Sequence, residues 1–573
     1  MTRHPSSTSA TSAKSLLALM LAAILTLALL ASVRAADIPV TTTDDNLTVN
    51  GDCSLREAIQ AANFRAPVDA CPAGDGHDRI LLPAGVYPLK LAGADEDDNR
   101  SGDLDIKGDL RIDGAGSETT VISGKELDRV LHVQVTATIT ISGVSIIDGH
   151  APDGVDETEG DGGDGAPGGG ILNEGVLNLT ECTLYNNQAG RGGASRTAPE
   201  EAGGNGGNGG AGGAIFNQGA LRVTRCRIYD NHAGGPGSAA SLVASDGRGG
   251  SGGGLSNQGD AWVQTTRITG NHAKTGGGVD NAGAATILSS TIALNATWAE
   301  GGRWYPPFAS GSSSGPGGGI ANRGVLTITQ SAIIANHTTD GGSFGGGSHA
   351  YGGYAGDGGG IINSGALTVT QSTISGNWTG NGGPSTWGGD AGDGGGIANQ
   401  GALTLENATV ADNAVGQAGE GDWNEGDWDD GRDGLGGGLR SENEEGVHMR
   451  NTIVASNHIT ATASDCFGLI VSYDYNLMQT VTNCSLTGDV AHNLIGADPQ
   501  LTPSGDHGGP TPTHGVGFHS PVVDAGSCTD MTGAPITVDQ RGVPRPVGGG
   551  CDIGASEVLP PSDFVYLPLI GGQ

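Results

Sequence analysis

Six of the seven tryptophans, Trp298, Trp304, Trp378, Trp387, Trp423 and Trp428, fall in one half of the chain, together with Tyr305, Tyr351 and Tyr354. Large rings set among Gly, Ser and Asp suit stacking on sugar rings, with polar neighbours for the hydroxyls, so these nine residues form the candidate ligand-binding set. The competing reading is a packed side layer, since Trp is usually well buried. A second cluster is acidic: Asp95, Glu96, Asp97, Asp98, Asp103, Asp105, Asp109 and Asp113. Of these, Asp95, Asp97, Asp98, Asp103 and Asp105 offer hard oxygens to Ca²⁺, although their spacing matches no defined calcium loop and a solvated acidic edge is the simpler reading. No motif requires a cofactor. Glycoside hydrolysis needs two carboxylates about 5 to 10 Å apart, and Glu181, Asp230, Asp280, Glu406 and Asp412 are scattered; a lyase base is scarce too, with Lys90, Lys107, Lys125 and Lys274 the only lysines after the leader. That distribution argues against catalysis, and no catalytic residue is assigned.

Composition restricts what can position these groups. The 573 residues include 106 glycines and 25 prolines, with only 4% aromatics and 16% charged residues, which excludes a large aromatic core and a highly charged disordered chain. The formal charge of −35 repels phosphate backbones and anionic lipid, which speaks against nucleic-acid partners and polybasic membrane docking. Residues 1–35 read as a secretory signal peptide: Arg3, His4 and Lys14, then the apolar run Leu16 to Ala31, then the exit Val33-Arg34-Ala35. No later run is long and apolar enough to span a bilayer, so an exported mature chain with no transmembrane segment is expected. Export favours disulfides, and six of the eight cysteines form short-range couples: Cys53 with Cys71, Cys466 with Cys484, and Cys528 with Cys551.

The glycines are organised by a repeat. Eight copies of Gly-Gly-Gly-apolar-x-Asn-x-Gly-x-Leu begin at Gly168, Gly212, Gly252, Gly276, Gly317, Gly358, Gly394 and Gly436, and the 24 residues from Gly252 to Gly276 are the minimal coil. Longer copies carry inserts between the closing Asn and the next glycine triplet. Inward positions alternate with period two and change phase at a bend, as in Leu177, Leu221, Ala261, Ala285, Leu326, Leu367, Leu403 and Val447, then Leu184, Ile228, Ile268, Ile292, Ile333, Ile374, Val410 and Val454. Asn187, Asn231, Asn271, Asn295, Asn336, Asn377, Asn413 and Asn457 close the coils, and a second series runs Asn173, Asn217, Asn257, Asn281, Asn322, Asn363, Asn399 and Asn443. Such Asn ladders are structural, because each amide can bond its copy one rung on. Cys182 and Cys226 share the small inward position of Thr266, Ser290 and Ser331, so they are expected to stack on adjacent rungs, with bonding left open. A coil this short, with three strands and glycine corners, predicts an all-β fold, a parallel β-helix that is right-handed by the general crossover preference. A propeller blade needs more residues.

Residues 36–78 read as an N-terminal cap, in which Ser54 and Glu57 form a capping box and Leu55, Ala58, Ile59 and Ala62 one apolar face of a short helix. The solenoid is expected over residues 79–500 with a closing region at 501–573. Cys53-Ser54-Leu55-Arg56-Glu57-Ala58 resembles the eponymous motif of the CSLREA-domain proteins. The tail resembles the choice-of-anchor type Q domain through Gly508 to His514, Ser520 to Gly526, Asp539 to Pro546 and Asp552 to Glu557, and the repeats are similar to those of chlamydial polymorphic outer-membrane proteins, whose GGAI signature stands at Gly212 to Ile215. That resemblance implies a surface-exposed, often adhesive β-helical passenger, secreted and associated with the cell envelope or outer membrane. The chain departs from it in lacking a terminal run of strands for its own barrel.

The reading that follows is an adhesion or glycan-binding protein that meets an extracellular polysaccharide or cell-surface glycan through aromatic inserts aligned on one edge. A polysaccharide lyase or glycoside hydrolase on a pectate-lyase-like β-helix is the alternative, and a structural envelope protein the third.

Overall fold

The computed structural model describes residues 36–94, 96–196, 204–239, 244–301, 303–305, 308–344, 350–421, 430–459 and 462–559, of which 303–305 and 308 are described by backbone alone. The signal peptide reading therefore lies outside the described residues. Each coil contributes one strand to each of three parallel sheets. In the coil at Gly168 these are Ile171–Asn173 (sheet 1), Val176–Thr180 (sheet 2) and Thr183–Tyr185 (sheet 3). Sheets 1 and 2 are joined through the long strand Cys466–Tyr473 and together hold 24 strands, while sheet 3 holds 13, which makes the molecule a parallel β-helix. Among the described residues no helix is long and apolar enough to cross a membrane.

Register follows the inward ladders, with Leu177 opposite Leu221 in sheet 2 and Leu184 opposite Ile228 in sheet 3, and the stacked side chains form one continuous core. The phase change between those sheets has a backbone cause. One residue per bend, including Glu181, Arg225, Thr265 and Gln330, sits at φ near +50°. A single left-handed residue turns the chain by one step, so the next side chain points inward again, at a cost of roughly 1–3 kcal/mol. The side chain that follows is small. Cys182 and Cys226 occupy this place, buried and unbonded to each other by a disulfide, with the Cys182 amide donating to Cys226 Sγ at 3.3 Å.

The closing Asn residues stay fully buried. Asn336, for example, donates Nδ2 to Ile292 O (2.9 Å) and Asn377 Oδ1 (3.0 Å) and accepts from Asn295 N and Nδ2. Asp465 ends this ladder by accepting from Asn457. The second Asn series needs one correction: Ser441, not Asn443, stands opposite Asn399. Two extra residues lengthen the last coil, and Asn443 instead accepts the Gly446 amide in the turn.

At the N-terminal end, helix α1 (Leu55–Phe64) begins with the reciprocal capping box of Ser54 and Glu57, and its apolar face joins the core. Arg56 is buried, bound to Asp45 (2.6 Å) and to the carbonyls of Gly102 and Asp103. The Cys53–Cys71 bridge holds the helix start, with Cα atoms 4.9 Å apart. Bridges Cys466–Cys484 and Cys528–Cys551 are also formed.

The tail does not stack on the last rung. Residues 499–558 fold back along the outside of sheet 3, where Val522 and Ile553 pack on Ile453, Ala455 and Leu477. Gln540 inserts fully, accepting from Thr373 Oγ1 (2.7 Å) and donating to Ser331 O (3.1 Å). Arg545 pairs with Glu557 (3.1 Å), both buried. The tail's longest motifs are thus a lateral seam on the solenoid.

Candidate functional site

The described residues of the inserts bond one insert to the next with a period of three. Gly162, Gly165 and Gly168 donate to the carbonyls of Asn205, Asn208 and Ala211 on the next insert at 2.8 to 2.9 Å. Gly193 and Gly190 donate to Gly163 and Ala166, and Gly207 and Gly210 to Gly193 and Gly190. Such a threefold pattern is that of polyproline-II strands bonded only to neighbours, and it explains the glycines, since only glycine fits so close an approach. A Cβ at Gly207 would lie 1.8 Å from Gly163 O. The solvent edge is finished by side chains: Asp161 and Asp164 accept the Asn205 and Asn208 amides at 2.6 Å, and Asn205 and Asn208 accept the next ones from Ser245 and Arg248. The insert acids therefore cap backbone amides.

This packing redistributes the aromatic candidates. Trp378 stacks on His337 at 4.4 Å (5° between planes), at the root of its insert, and Trp387 stacks on Tyr351 at 4.7 Å. Trp298 sits over the minimal coil, its Nε1 donating to Glu300 Oε2, which also accepts the Gly249 amide. Tyr354 is exposed. Trp304 and Tyr305 lie in the antiparallel pair Arg303–Tyr305 and Phe308–Ser310, while Trp423 and Trp428 lie outside the described residues. Among the described side chains, Trp378 with His337 and Trp387 with Tyr351 thus form two separate stacks, each occupying one face of its rings.

The acidic cluster also divides. Asp95 lies outside the described residues. Asp98 pairs with Lys107 (2.7 Å), and Asp103 with Arg129 (3.0 Å). Burial pushes the Asp103 carboxyl up to about 7. Of the four described acids, Asp97 and Asp105 converge, and they do so on His132, while Asp98 and Asp103 are held apart in their own ion pairs. A second acid group, Asp357, Asp393 and Glu442, is neutralised by Arg440 and by Arg432, which holds both oxygens of Asp393 at 2.8 and 3.0 Å.

A groove with a different set of residues lies on the outer face of sheet 2. It has a volume of about 360 Å³ and runs across the strands Val176–Thr180, Ala220–Thr224, Asp260–Gln264, Ala284–Leu288 and Val325–Thr329. Outward positions Asn178, Arg222, Trp262, Thr286 and Thr327 stand in register along it. Ala261 and Ala285 replace the Leu of the other coils beneath it, and both keep 7% exposure where their neighbours keep 3% or less. Trp262, the tryptophan outside the inserts, is 36% exposed, and the Arg222 guanidinium lies 5.5 Å from its ring centroid. Around the bend, Arg227 and Arg267 stand in register on sheet 3, with no ion pair among the described residues, next to the stacked Tyr185 and Tyr229 (5.0 Å) and His232 and His272 (5.1 Å). Burial lowers both histidines below their ordinary range. The nearby acids are Glu181, paired with Arg225, Asp260, which lines the groove, and Asp230, whose charge acts on His232 and His272. In a chain of charge −35 these rungs form an arginine-bearing aromatic belt. The two Ala in an otherwise Leu ladder, with one tryptophan outside the inserts, were the sequence signals for it.

No protein-family model and no curated protein matches the chain. Among solved structures, the chain is similar to a crystal structure of pectate lyase Pel9A, with a TM-score of 0.35 and 12% identity, covering 92% of this chain and 98% of that one. It is also similar to the A-module of the Azotobacter vinelandii mannuronan C-5 epimerase AlgE4, with a TM-score of 0.27 and 11% identity, covering 78% of this chain and 95% of that one.

Proposed function

We propose that this protein is an exported, cell-surface or extracellular glycan-binding β-helix whose ligand is an acidic polysaccharide lying along sheet 2. The observation that carries this reading is the groove at Trp262. An exposed indole offers a flat face to a sugar ring, Arg222 beside it offers a planar fork to a carboxylate, and Asn178, Thr286 and Thr327 offer hydroxyl partners. Successive strands repeat these positions at about 4.8 Å, which favours a polymer held at several weak points over a small molecule in one pocket. Arg227 and Arg267, with no ion pair among the described residues, add two cationic side chains round the bend, and the net charge of −35 disfavours nucleic acid. The resemblance to CSLREA and choice-of-anchor type Q proteins agrees with a surface location. Asp260 is the one carboxylate lining the groove, so it holds no acid pair for hydrolysis.

The test is a glycan array read with the exported chain and with Trp262→Ala, paired with assays for reducing ends and unsaturated products. Binding to uronate-rich polymers that Trp262→Ala reduces at least tenfold, without product release, supports the reading. Product release would replace it with an enzyme, and uronate binding untouched by Trp262→Ala would remove the groove from the account.

A further inference from the structure

We propose that Asp97, Asp105 and His132 form a binding site for a divalent transition-metal ion of the Zn²⁺ type, with Glu174 orienting the imidazole. Sheet 1 builds the site. Asp105 on the strand Leu104–Ile106 and His132 on Leu131–Val133 stand directly opposite each other on adjacent rungs, both facing outward. Glu174 follows the strand Ile171–Asn173 one coil later, and Asp97 arrives from the preceding loop. His132 Nδ1 lies 3.2 Å from Asp105 Oδ1 and 3.6 Å from Asp97 Oδ1, while Nε2 lies 3.1 Å from Glu174 Oε2. One donor atom from each of Asp97, Asp105 and His132 falls within 4.8 Å of the others. Ligands bound at about 2.0 to 2.2 Å in tetrahedral geometry are separated by roughly the distances that Nδ1 keeps from Asp105 Oδ1 and Asp97 Oδ1.

A second observation points inward. Asp105 is fully buried; its Oδ2 accepts the Asn99 amide at 3.0 Å, but its Oδ1, aimed into the cluster, makes no hydrogen bond of good geometry and faces His132 Nδ1 at 3.2 Å. A buried carboxylate oxygen without a partner costs free energy unless a cation faces it. Glu174 supplies the other half of the argument. With its oxygen 3.1 Å from Nε2 it leaves Nδ1 as the ring nitrogen directed at the two aspartates, the carboxylate–histidine–metal arrangement in which an outer carboxylate orients the ring. The neighbouring cations are engaged elsewhere, Arg129 with Asp103 and Lys107 with Asp98. One imidazole with two carboxylates favours Zn²⁺ over Ca²⁺, which prefers all-oxygen cages of six or more ligands. The side chain of Asp97 is 74% exposed, which leaves an approach from solvent.

The experiment uses the full mature chain, stripped with chelator and titrated by calorimetry with Zn²⁺ and separately with Ca²⁺, and with Co²⁺ followed by visible absorption. One Zn²⁺ per chain is expected, bound at least tenfold more tightly than Ca²⁺, together with a Co²⁺ d–d band in the visible. His132→Ala should abolish the band, and Glu174→Gln should weaken Zn²⁺ about tenfold. Asp97→Asn, on an exposed loop where folding is not at issue, should lose at least tenfold as well. An absence of Zn²⁺ binding, a preference for Ca²⁺, or binding indifferent to both Asp97→Asn and His132→Ala would overturn the site and leave His132 as an imidazolium held between acids.

Discussion

Replacing Asn336 with Ala removes one member of the closing Asn ladder while leaving its own amide bonded to Asn377 Oδ1. Four groups lose a partner, the mildest case being Asn377 Oδ1, which loses the Nδ2 donor at 3.0 Å and keeps the amide. The Asn295 amide loses its acceptor at 3.1 Å, Asn295 Nδ2 loses one of two at 2.9 Å, and Ile292 O loses the Asn336 amide at 2.9 Å. All sit where water cannot reach, since Asn295 and Asn336 are fully buried. At about 1–3 kcal/mol for each buried group left unsatisfied, and with two of the four only half deprived, the cost is about 3–9 kcal/mol. A solenoid unfolds in parts, so the change should be read locally, by native-state hydrogen exchange at the sheet 3 amides of residues 291–295 and 332–336. Gln258→Ala is the control, because its contact with Gln218 is exposed and 3.4 Å long; it should change local stability by no more than about 0.5 kcal/mol. A loss under about 1 kcal/mol in Asn336→Ala would refute the view that these amides carry the stacking of coils.

The insert bundle makes a paired prediction: Gly207→Ala, whose Cβ would meet Gly163 O at 1.8 Å, should open residues 160–250 to proteolysis, whereas Gly235→Ala, with only Arg191 Nε at 3.9 Å, should not. Changing Trp378 and Trp387 to Ala should loosen the second block of inserts, seen as faster local exchange, and leave uronate binding at the sheet 2 groove unchanged in affinity. In the tail, burial raises the Asp552 carboxyl to about 6, so this group contributes stability in full below its ordinary value near 3.9 and loses it as pH rises through about 6; Asp552→Asn should flatten that part of the unfolding profile between pH 4 and 7. Cys182 and Cys226 should resist alkylation in the native chain and react only on unfolding, because both are buried.

The coil was legible in the sequence because like residues must stack on like: the Leu and Ile ladders, the closing Asn residues and the capping box at Ser54 each impose a spacing that survives in one chain. The disulfide couples were legible for a similar reason, being close in sequence. Asn443 shows where that reasoning slips, since counting to the nearest Asn ignored a two-residue lengthening that put Ser441 in register. The stacking of the inserts is not legible in the sequence, because a glycine period of three produces no alternation of apolar and polar residues. The tail's path over sheet 3 depends on contacts 139 to 209 residues apart, such as Ser375 with His514 and Gln540 with Ser331, which no local pattern encodes. Trp262 was passed over because it was single, and His132 because its partners come from three separate coils.

The location of the ligand is tested most directly by hydroxyl-radical footprinting of the tryptophans, with and without a saturating uronate oligomer. The account expects protection of Trp262, at 36% exposure the ring in the groove, with Trp378 and Trp387 oxidised as fast as in the free protein. Protection of Trp378 and Trp387 with Trp262 still reactive would contradict it and return the binding surface to the inserts.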